Sequence, residues 1–350
     1  MSKQYIKIAV LFLMMFFIPA NSFCKNKHNK SFNKYFTLAD TISFNIDSLL
    51  IGSISDVIVL GGGKYVIKDP IAFSALWIDT ENKIYRKLSV QKELPGVNEA
   101  VISVYKDPHG GFWVAIHDYY VKFNNNGNLL SHHRNNKYFV SDKFCIDSHA
   151  NLIVYCRQDK FKDVFLLHYN LVDNNLSRMF ELGFSENYIN AIKRFDGGGL
   201  LIDKDNYLYA ANAIENKIYK YSLSGNLEKC FKSKYVPFKY LDKDILPGKA
   251  GVIDFLSKTR GKIINTTINK MGFINNEFIF VEYLGPKGRN VEIFSTDGDV
   301  VNLESITLPE GFRVVGSANG CMYFKNVMLE ADEKPDEIKN PVLLKYRFNE

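Results

Sequence analysis

Short apolar runs separated by clusters of Asp, Asn and Gly set the rhythm of this chain, and the rhythm is clearest at Gly199–Phe231. There Leu200–Ile202 is stopped by Asp203-Lys204-Asp205-Asn206, and Tyr207–Ala211 forms a second run. A loop follows at Asn212–Lys217. Ile218-Tyr219-Lys220-Tyr221 then alternates apolar and polar, and Ser224-Gly225-Asn226 turns the chain into Leu227–Phe231. Asp, Asn and Gly are what tight turns require, while Leu, Ile, Tyr and Phe suit a pleated sheet. The pattern predicts four short strands and three turns. Such a unit cannot bury both faces alone and needs copies of itself on either side.

Copies recur along the chain. Asp56–Leu88 holds Val57–Leu60, the turn Gly61-Gly62-Gly63, Lys64–Ile67, Leu76–Asp79 and Ile84–Leu88. Val101–His133 repeats that order with a turn at Asp107–Gly111, and Lys143–Phe180 repeats it again, its Asp147 standing 40 residues after Asp107. Gly199–Phe231 is the fourth unit, Val252–Leu303 a longer and less regular fifth, and Phe312–Phe348 the sixth. Aromatics make up 14% of the residues, with 20 Tyr and 27 Phe, which favours sheet over helix. Six such units predict an all-β fold, a six-bladed β-propeller of four-stranded antiparallel blades around a central channel. Thr41–Leu50 alternates, with Ile42, Phe44 and Ile46 on one side. It is expected to complete the sixth blade, removing the edges that an open array would keep.

The N-terminus bears on where the protein works. Lys3 and Lys7 precede an unbroken apolar run, Ile8–Ile18, and Pro19-Ala20-Asn21-Ser22 supplies small residues for an A-x-S cleavage site. The run is short for a membrane span. The reading is a signal peptide over 1–22, a polar basic and disordered linker over 23–39, and the propeller over 40–350. The protein is then exported, to the periplasm, the cell surface or the medium. Cys24 opens a second route, acylation as a lipoprotein, although Phe23 stands where a lipobox has a small residue. Lipidation there is the one membrane contact the sequence suggests.

The formal net charge of +6 is carried entirely by Lys3, Lys7, Lys25, Lys27, Lys30 and Lys34, with no acid among the first 34 residues. The body from Tyr35 onward is therefore neutral by count. A nucleic-acid binder carries its basic field on the folded domain, so that class is disfavoured. Of five cysteines, Cys145, Cys156, Cys230 and Cys321 fall in strand-like runs. Pairing across the turn Asp147–Asn151 sets Cys145 near Ile153 and points Cys156 to the other face, so buried free thiols are expected rather than disulfides.

Ile202–Tyr209, Asn216–Tyr221 and Ser224–Leu227 resemble an NHL repeat, and a signal peptide followed by six such units is similar to the uncharacterised secreted six-bladed propellers of bacteria. The resemblance covers residues 41–350. It implies the fold more firmly than an activity, because this architecture hosts enzymes, binders and scaffolds alike. No Trp-Asp dipeptide of the WD40 kind is present.

Loops after the second strand of each blade are expected to converge on one mouth of the channel. They supply Lys68, Asp69, His117, Asp118, Arg157, Asn212, Glu282 and Arg289 as candidate binding residues. Polar groups ringing a mouth can grip a small anionic or sugar-like ligand, or hold a divalent cation such as calcium through oxygen ligands. Each is also what an ordinary solvated loop tip looks like. His117-Asp118 is the best acid–base candidate, but a loop ion pair is the favoured reading of it. Trp77 and Trp113 read as blade packing. G-x-S-x-G, H-E-x-x-H and the P-loop are absent, so no catalytic residue is assigned. The function expected is a monomeric ligand-binding or protein-interaction module, with the acidic stretch Leu329–Lys339 as one further contact surface. The alternative is a metal-dependent, lactonase-like hydrolase or lyase with its site at the channel mouth.

Overall fold

The computed structural model describes residues 30–134, 143–147, 149–155, 164–173, 175–181, 197–237, 266–286, 288–328 and 340–349. Among them, 24 strands form six four-stranded antiparallel sheets, so the chain is an all-β six-bladed propeller. Blade 1 is β2 (Asp56–Gly61), β3 (Lys64–Asp69), β4 (Ser74–Asp79) and β5 (Ile84–Lys87). Blade 2 is β6 (Val101–Lys106), β7 (Phe112–Ile116), β8 (Tyr119–Phe123) and β9 (Leu129–Arg134). Blade 3 is β10 (Phe144–Ile146), β11 (Asn151–Tyr155), β12 (Val164–Asn170) and β13 (Leu176–Glu181). Blade 4 is β14 (Gly199–Ile202), β15 (Tyr207–Ala211), β16 (Ile218–Ser222) and β17 (Leu227–Phe231). Blade 5 is β18 (Thr267–Phe273), β19 (Phe278–Gly285), β20 (Gly288–Ser295) and β21 (Ile306–Thr307). Blade 6 is β22 (Phe312–Ala318), β23 (Cys321–Asn326), β24 (Leu343–Phe348) and, from the other end of the chain, β1 (Phe36–Ile42).

The repeated turn has a physical cause. Between the first and second strands of blades 2, 3 and 4 an aspartate side chain folds back onto the backbone. Asp107 accepts from His109 N at 2.8 Å, Asp147 from His149 N at 2.8 Å and Asn151 N at 2.9 Å, and Asp203 from Asp205 N at 2.9 Å and Tyr207 N at 2.8 Å. Three residues after each aspartate the backbone enters the left-handed region, at Gly110 (φ 106°), Ala150 (φ 59°) and Asn206 (φ 63°). An Asx turn of this kind explains why Asp recurs there and why Gly or Asn is favoured behind it. The second carboxylate oxygen is also used: it accepts from Trp113 Nε1 at 2.9 Å, His168 Nε2 at 3.3 Å and Tyr209 Oη at 3.0 Å respectively.

Neighbouring blades bury their faces on one another, as the near-continuous apolar strands require. Trp77 of blade 1 is buried and donates to the Asn125 carbonyl of blade 2 at 2.9 Å, so it packs blades together as expected. Trp113 is likewise buried. The Cys145–Ile153 pairing is observed, and Cys145 and Cys321 are buried free thiols. Cys230 is exposed instead, because β17 is the outermost strand of its blade.

Closure differs from the expected form. The closing strand is Phe36–Ile42, which pairs antiparallel with β24 from Phe36↔Phe348 to Ile42↔Leu343. The stretch read as a disordered linker over 23–39 therefore contains a short helix, α1 (Lys30–Tyr35), and most of β1. Most of its large described apolar residues are buried, Leu38 being the exposed one. Phe32, Tyr35 and Phe36 are buried in a cluster with Phe312, Phe324 and Phe348. The alternation in Thr41–Leu50 is real, but it serves burial without a strand beyond Ile42. Phe44 and Leu49 pack into the seam between blades 6 and 1. Asn340 stands in for a sheet partner, donating to the carbonyls of Phe44 and Leu49 at 2.9 and 2.8 Å and accepting from Ile51 N at 2.8 Å.

Residues 1–22, Cys24, Cys156, Arg157 and Leu329–Lys339 lie outside the described residues. No helix among the described residues is long and apolar enough to cross a membrane. Truncating Phe36 to Ala removes a ring buried between the two chain ends, and is expected to destabilise the protein by about 3–5 kcal/mol. Unfolding by denaturant checks this; an unchanged midpoint would contradict the closure described.

Candidate functional site

The first strand of each blade lies against the propeller axis. Five of them, β2, β6, β14, β18 and β22, enclose an axial cavity of about 490 Å³ together with the turns that follow them. Its walls are largely apolar, with Val59, Val104, Leu201, Met271, Phe273 and Val315 among the lining residues. Close strand approach shapes it. A Cβ on Gly316 would stand 2.4 Å from the Val57 carbonyl oxygen, so only glycine lets β22 lie this near β2.

The floor of the cavity is an ion pair that crosses the axis. A bulge in β18 leaves Asn269 unmatched between Ile268 and Lys270, and bulges re-aim the side chains beside them. Lys270 of blade 5 reaches Asp56 of blade 1 at 2.6 Å, and donates to the carbonyls of Ser55 and Val315 at 3.1 and 3.0 Å. Lys68 stands 3.9 Å from the same carboxylate and donates to the Ile102 carbonyl of blade 2. Burial opposes ionisation of Asp56, but the ammonium groups of Lys270, Lys143 and Lys68 outweigh it and hold the carboxyl well below the usual range. One carboxylate thus gathers charges from blades 1, 3 and 5.

The rim lies at the other end, on the face of the turns between first and second strands. Lys106, Pro108, Lys204, Asn276 and Asn319 line the cavity there and are exposed. The expected mouth was placed on the opposite face, at the loops after second strands.

The expected site residues accordingly fall elsewhere, and none of the seven that are described lines the cavity. Asp69 is buried and organises its own loop, accepting from Gly52 N at 2.7 Å, Ile71 N at 2.9 Å and Ala72 N at 3.2 Å. Asn212 is buried and does the same for the next blade but two, accepting from Ile214 N at 3.0 Å and Glu215 N at 2.8 Å. His117 and Asp118 form an exposed pair at 3.0 Å in the β7–β8 turn. Glu282 and Arg289 are not loop residues but members of β19 and β20, joined at 3.0 Å with Glu282 fully buried. Glu282 also accepts from Asn269 Nδ2 and, at 3.4 Å, from Val314 N of blade 6. The structure brings Glu282 and Arg289 together, and it brings Lys68 to the floor. His117 and Asp118 meet only each other, and Asp69 and Asn212 stay apart in their own loops.

Sequence reasoning missed Asp56, Lys143 and Lys270 at the floor and Lys106 and Lys204 at the rim. A signal existed for the rim: Lys106 precedes and Lys204 follows a turn aspartate, and both flanking positions line the cavity. Among the described residues no three His, Cys, Asp or Glu side chains gather closely enough to hold a metal ion.

Fold and geometry together define a six-bladed propeller with an axial cavity floored by an ion pair. The chain is similar in structure to a Bacteroides fragilis protein named as an exported one, at 13% identity and a TM-score of 0.56, over 91% of this chain and 96% of that one. It is also similar to virginiamycin B lyase of Staphylococcus aureus, at 12% identity and a TM-score of 0.48, over 83% and 82% of the two chains. A Bacteroides caccae protein of unknown function matches at 11% identity and a TM-score of 0.44, over 73% and 81%. At 13% identity the first of these likenesses shows the fold alone. No protein-family model and no curated protein matches the sequence.

Because the Asp56 carboxyl is held low in the folded state, its contribution to stability is present at neutral pH and lost as pH falls below the ordinary carboxylate range. Asp56→Asn is expected to cost about 1.5–3 kcal/mol at neutral pH, with the gap to the wild type closing below about pH 4. Denaturant unfolding across pH checks it; a gap that does not change with pH would contradict the assignment.

Proposed function

We propose that this protein is an exported, monomeric β-propeller that binds a small molecule in its axial cavity, entering from the face of the turns between first and second strands. The cavity carries the reading. Its volume of about 490 Å³ falls in the range of small-molecule sites, and apolar walls with a few placed polar groups are what such sites share. The engagements of the acidic and amide side chains favour binding over the hydrolase or lyase alternative. Asp56, Asp69, Asn212 and Glu282 are each committed to neighbours that hold the blades or their loops. His117 and Asp118 pair with each other in solvent, away from the cavity. Export rests on the basic start, the apolar run and the small residues of positions 1–22.

Thermal shift against a set of small aromatic fragments tests the cavity directly. Ligands that occupy it stabilise the fold, by about 2.7 kcal/mol at a hundredfold excess over Kd. The shift is expected to disappear in Val104→Trp, whose indole fills the cavity from a half-exposed wall position. Circular dichroism verifies that the variant folds. Fragments that bind wild type and variant equally would contradict the proposal.

A further inference from the structure

Granting the proposed binding in the cavity, we infer that it selects small molecules with an apolar body and one anionic end group, which Lys106 and Lys204 hold at the rim. The inference comes from following each charge that lines the cavity. These charges are Asp56, Lys106, Asp203, Lys204 and Lys270. An ammonium has three hydrogens to donate, and Lys270 directs its own to Asp56, Ser55 O and Val315 O. Asp56 is engaged by Lys270 on one oxygen and by Ser55 Oγ and Lys68 on the other. Asp203 spends one oxygen on the N–H groups of Asp205 and Tyr207 and the other on the Tyr209 hydroxyl. The donors and acceptors of the Asp56–Lys270 pair are thus all taken up, and the one acid at the rim is bound up in its turn.

Lys106 and Lys204 differ from these. The side chain of neither makes a hydrogen bond or ion pair with any described residue. Lys106 ends β6 in blade 2, and Lys204 sits in the β14–β15 turn of blade 4, so they reach the rim from either side of blade 3. Asn276 and Asn319 bring amides to the same rim from blades 5 and 6. Partial withdrawal from water, which lowers the Lys106 pKa, is uncompensated by any acid, and an arriving anion relieves it. The placement also sets the orientation of the ligand. A charge is costly to bury deep among Val59, Met271 and Val315, whereas at the rim it stays partly hydrated and meets two cations. The apolar end therefore enters first.

The test uses three probes of one shape: 2-naphthoate, 2-naphthylmethanol and 2-naphthylmethylammonium. Calorimetric titration at neutral pH is run on the wild type, on the double variant Lys106→Met with Lys204→Met, and on Val104→Trp. We expect naphthoate to bind at least about tenfold more tightly than the alcohol, as befits charge-assisted contacts. The double variant should bring naphthoate down to the alcohol's affinity and leave the alcohol unchanged. Alcohol or ammonium binding as tightly as naphthoate would overturn the anion preference and leave the cavity reading standing. A naphthoate preference that survives in the double variant would overturn the role of the two lysines. Failure of all three probes to bind, or equal binding to Val104→Trp, would overturn the cavity reading and this inference with it.

Discussion

The pairing of β1 with β24 is the contact on which everything else rests. It joins residues from opposite ends of the chain, Phe36 with Phe348 and Ile42 with Leu343, and makes a ring out of what would be a row of sheets. Without it β24 would present a bare edge of backbone donors and acceptors, and blade 6 would have no outer strand. Closure also fixes where the first strands stand. β22 can press against β2 until Gly316 meets the Val57 carbonyl only because the ring leaves it no other place. The cavity is a consequence of that geometry.

Two sets of polar contacts then divide the labour at the two ends of the axis. At one end the Asp56–Lys270 bridge ties blade 1 to blade 5 and floors the cavity. At the other, the turn aspartates hold their strands in register. In blade 2, Lys122 pairs with Asp107 at 2.7 Å and lies over the Trp113 ring. In blade 4, Lys220 lies over the Tyr209 ring and donates to the Thr296 carbonyl of blade 5 at 3.1 Å. One local device, an aspartate turn backed by an aromatic and a lysine, serves both to shape a blade and to attach the next. Among the described residues that line the cavity, it leaves the side chains of Lys106 and Lys204 over, and these are the two assigned to the ligand in the proposed reading.

The fold was legible because period and turn chemistry are local. Apolar runs broken by Asp, Asn and Gly mark strands and turns wherever they occur, and five of the six units are delimited to within a residue or two at each end, as β2–β5 and β14–β17 show. The failures are nonlocal. Phe32 and Phe36 look stranded in an Asn- and Lys-rich stretch until Phe312 and Phe348 are brought against them. Thr41–Leu50 has strand alternation, but its partner beyond Ile42 is the side chain of Asn340, which no periodicity reveals. In blade 5 the repeat is blurred, and Glu282 and Arg289 looked like loop residues because strands β19 and β20 run further than the apolar pattern does. The site was the least legible part. Which end of the channel stays open depends on Lys270 crossing from blade 5 to blade 1, a contact set by a bulge and by ring closure together.

Hydrogen–deuterium exchange of the intact protein tests ring closure most directly. If the two chain ends share one sheet, amides in the peptide spanning 36–42 are protected to the same degree as those of β23 and β24, and lose protection with them as denaturant is raised. Rapid exchange of 36–42 while β23 and β24 stay protected would mean that the ring is not closed by the N-terminal strand, and the account of the cavity would fall with it.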